Sequence, residues 1–198
     1  MNPLVSIIVP FSEATSGFVK CLESLVNQTL QEIEILLIPE QANEEVFAVV
    51  KEYQQRDPRI LIFPEKEGCL PRNTGLKNAT GKFITFLDPD GWVQEETYEK
   101  LYEIASQGEM DILMGNGSYC YRSGRKTEIY KSSAPSVSEE VLSGKDAFIF
   151  LSRYGEVNLT PAISLYKREF IEKTITPSRV ISMKMSCGDR SHYAQRSG

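Results

Sequence analysis

The stretch RNTGLKNATGKFITFLDPDGW (residues 72–92) decides the fold. Within it, KFITFL (82–87) is a short apolar run of strand length. A glycine-flanked helical stretch, roughly 71–79, precedes it, and Asp88-Pro89-Asp90-Gly91 follows it. Outward on both sides the same two periods alternate. LVSIIV (4–9, ended by Pro10), IEILLI (33–38, closed by Pro39), ILIF (60–63, stopped by Pro64) and DILM (111–114) read as strands. Between them, residues 16–28 place Phe18, Cys21, Leu22, Leu25 and Val26 at helical spacing, residues 43–55 place Val46, Phe47, Val49, Val50 and Tyr53, and residues 95–106 place Tyr98, Leu101, Tyr102 and Ala105. Strands alternating with helices predict an α/β fold, a mainly parallel sheet flanked by helices on both faces. Ligands in such sheets bind at the carboxyl ends of the strands, so the polar residues just after each strand are the candidates.

Beyond 116 the rhythm changes. SYCYRSGRKTEIYK (118–131) is a hairpin candidate with Ser123-Gly124 at its turn. Ser143 is placed to cap a helix over KDAFIFLSR, AISLY (162–166) reads as a strand and KREFIEK (167–173) as a short helix. From about 174 no period persists, and no internal repeat or linker interrupts the chain.

Composition closes several routes. The chain of 198 residues has 22 Lys+Arg against 27 Asp+Glu, a net charge of −5, which excludes a generally basic nucleic-acid coat. Its length allows a core that needs no disulfide or metal staple. Cys21, Cys69, Cys120 and Cys187 form no C-x-x-C pair, and His192 is the one histidine, so zinc ribbons, thioredoxin chemistry and histidine-rich metal sites are excluded. MNPLVSIIVPF has neither a basic n-region nor an apolar run long enough for a signal peptide or a membrane span. The charge is uneven: residues 1–110 carry 9 Lys+Arg and 18 Asp+Glu, whereas 111–198 carry 13 and 9.

Two carboxylates at i and i+2 beyond a strand present hard oxygen ligands toward one point, as Mg²⁺ or Mn²⁺ requires. The same Asp-Pro-x-Gly order satisfies a type I turn, and a tight turn is how such a pair would be held. Arg72, at a loop-to-helix junction, can reach a phosphate or base bidentately; it is equally compatible with a surface arginine at a helix start.

The run 72–92 resembles R-N-x-G-L-x-x-A-x-G-x-[YF]-[IV]-x-F-L-D-x-D of family 2 glycosyltransferases, inverting enzymes of the GT-A fold. VSIIVPF, CLESLVNQTLQEIEILLI (21–38) and ETYEKLYEIASQGEMDIL (96–113) agree with it, so the likeness is continuous over 4–115, with a weaker echo in LSGKDAF (142–148) and LYKREFI (165–171). The resemblance implies a GT-A, Rossmann-like, mainly parallel sheet with a partial acceptor subdomain. Residues 1–115 would form the nucleotide-sugar-binding half, 116–175 the partial acceptor part and 176–198 an irregular tail. It also implies transfer of a sugar from a nucleotide-diphosphate donor, usually a UDP-sugar, to an acceptor hydroxyl. The acceptor would be a glycan or lipid-linked molecule in cell-surface polysaccharide assembly, handled in the cytoplasm at the inner face of the membrane. Carried over by position, Asp88 would touch the ribose or donor sugar, Asp90 would ligate Mn²⁺ or Mg²⁺, Arg72 would contact the nucleotide and Pro10 would line the base pocket.

Departures from the pattern matter as much. Relatives read P-x-Y-N after the first strand; here Ser12 stands at the aromatic position, and whether Phe11 substitutes is open. Relatives read N-D-G-S after the second; here Pro39-Glu40-Gln41-Ala42 keeps an acceptor carboxylate in Glu40 but loses the glycine that eases a positive φ. D-x-D-D becomes D-P-D-G. Over 178–198 the carboxylate available as catalytic base is Asp189. These changes, together with the lost periodicity, raise a competing expectation of a truncated or catalytically degenerate homologue that binds without turnover. Nucleotidyl transfer on a related sheet is a third possibility, weakened because GNGSYC (115–120) is no phosphate loop. The basic end of the chain, 164–198, fits either peripheral contact with anionic lipid or a solvated face.

Overall fold

The computed structural model describes residues 2–65, 68–115, 117–119, 128–130, 143–146, 149 and 164–174. In chain order these form β1 (Val5–Phe11), α1 (Ser16–Val26), β2 (Ile33–Pro39), α2 (Glu44–Arg56), β3 (Ile60–Ile62), α3 (Pro71–Asn78), β4 (Phe83–Phe86), α4 (Thr97–Gln107), β5 (Ile112–Met114), β6 (Gly117–Tyr119), β7 (Glu128–Tyr130), β8 (Ser164–Lys167) and α5 (Arg168–Thr174).

The main sheet has the order β3-β2-β1-β4-β8-β5. The first four strands are mutually parallel, as the alternation with helices predicts. β8 then enters antiparallel to both β4 and β5. DILM therefore does not pair beside β4: Ser164–Lys167, which takes in the last residues of AISLY, lies between them. Periodicity identifies both strands but carries no information about which distant run pairs with which. β6 and β7 pair antiparallel as a separate hairpin, whose Ser123-Gly124 connection lies outside the described residues.

Successive side chains on β1 point to opposite faces. Val5, Ile7, Val9 and Phe11 join one core with α1, α2 and α4, while Ile8 joins a second core with Leu76 of α3 and Ile171 of α5. Both faces are thus covered, which is why the strands carry little polar residue inside. Pro10 does not end β1, which runs on to Phe11. Ile8 turns its carbonyl toward β4, accepting from Leu87 N–H, so Pro10 faces the same way. The pairing with β4 stops at Ile8, and no donor is needed there.

Local chemistry sets the helix starts. Thr15 and Asn43 cap α1 and α2, accepting from the N–H groups of Phe18 and Val46. α3 begins with Pro71 at its first turn. Ser143 likewise accepts the Asp146 N–H, the cap expected at that position.

Candidate active site

Because β1, β2 and β4 run parallel, their carboxyl ends share one edge of the sheet. Pro10, Ser12, Glu40 and Asp88 follow from those ends, and Arg72 enters from the first turn of α3. Pro10 is buried, whereas Ser12 and Glu40 are exposed. Glu40 N–H donates to the Phe11 carbonyl at 2.8 Å, tying the loop after β2 to the end of β1. Phe11 does not replace the missing aromatic. It is turned into the core, stacked on Phe18 with ring centroids 5.6 Å apart and edge-on to Phe47.

Gln41, where relatives carry glycine, takes φ +53°, the left-handed conformation that a glycine would enter freely. Its N–H reaches the Glu65 carboxylate at 3.3 Å, which joins the loops after β2 and β3. Gln41 thus takes a conformation that a glycine would enter more easily.

Asp88-Pro89-Asp90-Gly91 forms the expected turn, with Gly91 N–H donating to the Asp88 carbonyl at 2.9 Å. Arg72 Nη2 lies 2.5 Å from Asp88 Oδ1, with 23% and 28% of the two side chains exposed. Burial pushes the Asp88 carboxyl above its ordinary value. The Arg72 charge and hydrogen bond pull it back, and the neighbouring Asp90 charge adds to the rise. Arg72 thus engages a carboxylate of the site itself, so the arginine expected to meet a nucleotide also sets the state of Asp88. Asp90 is the exposed member of the pair. Asp189 lies outside the described residues.

Two contributors were not legible as such. Cys21 reads as a core residue of α1, and it is fully buried, yet its Sγ donates to the Asp88 carbonyl at 3.7 Å. Burial, and then the charges of Asp90 and Asp88, push its thiol up to about 12, so it stays neutral. Trp92 is 41% exposed with the Lys20 ammonium 3.2 Å from its ring centroid; its position directly after the turn was the signal available.

Among the described residues no group of three or more His, Cys, Asp or Glu could hold a metal ion. The chain offers Asp90, and Asp88 already bound to Arg72. Mg²⁺ and Mn²⁺ need not have a full protein cage: one or two carboxylates completed by substrate phosphates and water suffice. The donor set fits a cation that arrives with a diphosphate, and it does not fit a resident ion.

Known proteins agree with this architecture. Over 131 residues the chain is 38% identical to the uncharacterized glycosyltransferase EpsJ of Bacillus subtilis, covering 65% of this chain and 38% of that one. It is 31% identical over 115 residues to the minor teichoic acid biosynthesis protein GgaB of Bacillus subtilis, covering 54% and 13% of the two chains. The chain therefore spans well under half the length of either relative. Among solved structures it superposes on S. aureus TarS 1-349 in complex with UDP-GlcNAc, with a TM-score of 0.65, 20% identity, and coverage of 85% of this chain and 46% of that one. The GT-A fold implied by the resemblance is thereby shared. The family model for glycosyl transferase family 2 matches residues 6–175, and the chain belongs to that family.

Proposed function

We propose that the chain binds a UDP-sugar across the carboxyl edge of its sheet and transfers the sugar, with inversion, to an acceptor hydroxyl of a growing cell-surface polysaccharide. The observation that carries this is the closed Asp88–Gly91 turn at the end of β4 with Arg72 seated on Asp88. It presents one exposed carboxylate beside a guanidinium-paired one at the ligand-binding edge. The UDP-GlcNAc complex of TarS supports the donor class, and the kinship with GgaB supports a surface-polymer product.

On this reading, residues 1–115 form the donor half and 116–175 contribute to the acceptor side. Pro10 and Ser12 line the base, and Glu40 accepts a hydrogen bond from it. Asp88 touches the ribose or donor sugar, and Arg72 holds the nucleotide as well as Asp88. Asp90 holds a divalent cation, which when bound neutralises the diphosphate as it leaves. The acceptor oxygen forms its bond to the anomeric carbon from the face opposite the diphosphate, whose oxygen keeps the electron pair of the bond that breaks. The hydroxyl proton passes to a carboxylate base, the role assigned to Asp189.

Titrating UDP and UDP-sugars with and without Mn²⁺, while following sugar release in the same samples, tests the proposal. Metal-dependent binding that disappears in Asp90→Ala is expected. Absence of binding to any nucleotide-sugar overturns it. Binding without turnover selects the degenerate homologue instead.

A further inference from the structure

The segment that carries Asp90 is long and irregular, running from the end of β4 to the start of α4, and sheet pairing holds none of it after Leu87. Arg72 holds Asp88 and Thr29 N–H donates to the Glu95 carbonyl at 2.9 Å, and between these contacts the segment lies on one line along α1. Gly17, Cys21, Ser24 and Gln28 recur at intervals of four, three and four, and so lie on one side of the helix and its extension. Each meets the segment in turn. A Cβ on Gly17 would stand 3.4 Å from both Cα and Cβ of Asp90, so the turn lies directly against the helix at this point. Cys21 Sγ donates to the Asp88 carbonyl. Ser24 Oγ accepts from Val93 N–H at 3.3 Å while donating to the Cys21 carbonyl at 2.7 Å. Gln28, 1% exposed, donates through Nε2 to the Gln94 carbonyl at 2.8 Å and accepts the Tyr98 N–H at 3.2 Å.

The first part of the helix line meets the Asp88–Gly91 turn, through Gly17 at Asp90 and Cys21 at Asp88, and its later residues meet the chain beyond, Ser24 at Val93 and Gln28 at Gln94 and Tyr98. The Val93 and Tyr98 N–H groups thus find side-chain acceptors on α1 and its extension, and the Asp88 and Gln94 carbonyls, each already in a turn bond, gain a second donor there. Leaving such groups buried and unmet is costly, which makes the arrangement specific rather than incidental. We propose that Gly17, Cys21, Ser24 and Gln28 are positioning residues: they form a template on α1 that fixes the 88–98 segment and thereby sets where Asp90 presents its carboxylate. The consequence for the cation rests on the donor-site reading above; the template itself does not.

Amide hydrogen exchange on the unliganded full chain tests the template directly, using Ser24→Ala, Gln28→Ala and the hydroxyl-preserving Ser24→Thr. The Val93 amide in Ser24→Ala and the Tyr98 amide in Gln28→Ala should exchange about five-fold faster for the hydrogen bond lost, with β1 and β2 amides unchanged. The Mn²⁺ concentration for half-maximal UDP binding should rise severalfold while UDP affinity without metal holds, and Ser24→Thr should revert both effects. Unchanged exchange over 91–98, or an equal rise across the sheet, overturns the template. Faster exchange with an unchanged Mn²⁺ requirement overturns its role in presenting Asp90. If the unmodified chain binds UDP without any Mn²⁺ dependence, the donor-site reading fails, and the exchange measurement alone decides the template.

Discussion

Arg72 and Asp88 form a pair that answers to two demands. Burial and the Asp90 charge favour a protonated Asp88, and the guanidinium opposes both. Arg72→Ala removes the opposing group, so the Asp88 carboxyl should rise further. Nucleotide-sugar affinity should fall about ten-fold or more, as for loss of a charge-assisted contact, read by isothermal titration against Arg72→Lys. At Gln41, the left-handed φ costs about 1 kcal/mol for a residue with a Cβ. Gln41→Gly should therefore raise stability by up to about 1 kcal/mol in urea unfolding, leaving UDP affinity in place. Asp57 supplies the pH handle. Burial alone would raise its carboxyl, but the hydrogen bonds and charge of Arg59 outweigh it and leave it lowered. A carboxyl lowered in the folded state stabilises above its unfolded value, near pH 4, and loses that contribution as pH falls through its folded value. Thermal unfolding should show the advantage over Asp57→Asn near neutrality, shrinking as the pH falls through the lowered folded value. The sequence announced Asp88, Asp90 and Arg72 because they stand where a parallel sheet exposes its ends. It could not announce that Arg72 would close on Asp88, which depends on the approach of α3 to β4.

Among the elements, α3 shows why the glycines of the 72–92 run are there. A Cβ on Gly75 would stand 2.4 Å from Ile8 Cγ2, so α3 lies directly on β1 only because that position is bare. Gly81 meets Ser6 as closely, its built Cβ falling 2.6 Å from the hydroxyl. Between these lies Glu34, a buried carboxylate in β2 whose Oε1 accepts from Ser6 Oγ, Thr80 Oγ1 and the N–H groups of Thr80 and Gly81. It joins three strands' worth of backbone at the amino ends of the sheet, opposite the candidate site. Glu34→Ala takes the acceptor from the buried Ser6 hydroxyl, while Gly81 N–H keeps Ser6 Oγ and Thr80 turns to solvent, and should lower stability by about 2 kcal/mol, measured by chemical unfolding with UDP binding as the control. In the sequence Glu34 is one polar letter in IEILLI, and strand periodicity treats it as an exception. Its role depends on Thr80-Gly81, distant in the chain, which no local pattern connects to it. Helix boundaries were far more readable, because caps such as Thr15 and Asn43 act within a few residues.

The assembled sheet joins the two parts of the chain that composition distinguishes. β8 comes from the basic later part, yet it lies inside the sheet, antiparallel to β4 and β5, and Thr85 Oγ1 donates to the Ser164 carbonyl at 2.9 Å. A chain cut after residue 115 keeps every strand of the donor edge but bares the flank of β4 and leaves β5 without a sheet partner. Such a fragment should sediment as aggregates, whereas the full chain should not, since an uncovered apolar strand edge templates association. The change from acidic to basic composition therefore does not mark a boundary in the sheet. The parallel core was legible because each βα step is local. The antiparallel insertion was not, because it links runs that the chain separates widely.

That insertion also gives synthesis a timetable. β3, β2, β1 and β4 are all complete once Phe86 has emerged, and they can pair in the order they leave the ribosome. β5 ends at Met114, while its sheet neighbour begins at Ser164. At about 5–20 residues per second, that interval lasts on the order of several seconds. For that time the nascent chain carries four paired parallel strands beside an unclosed flank, with Ile84 and Phe86 on a strand still one neighbour short. The period of greatest exposure to chaperones and to other nascent copies falls there, before the last element of the sheet has been made.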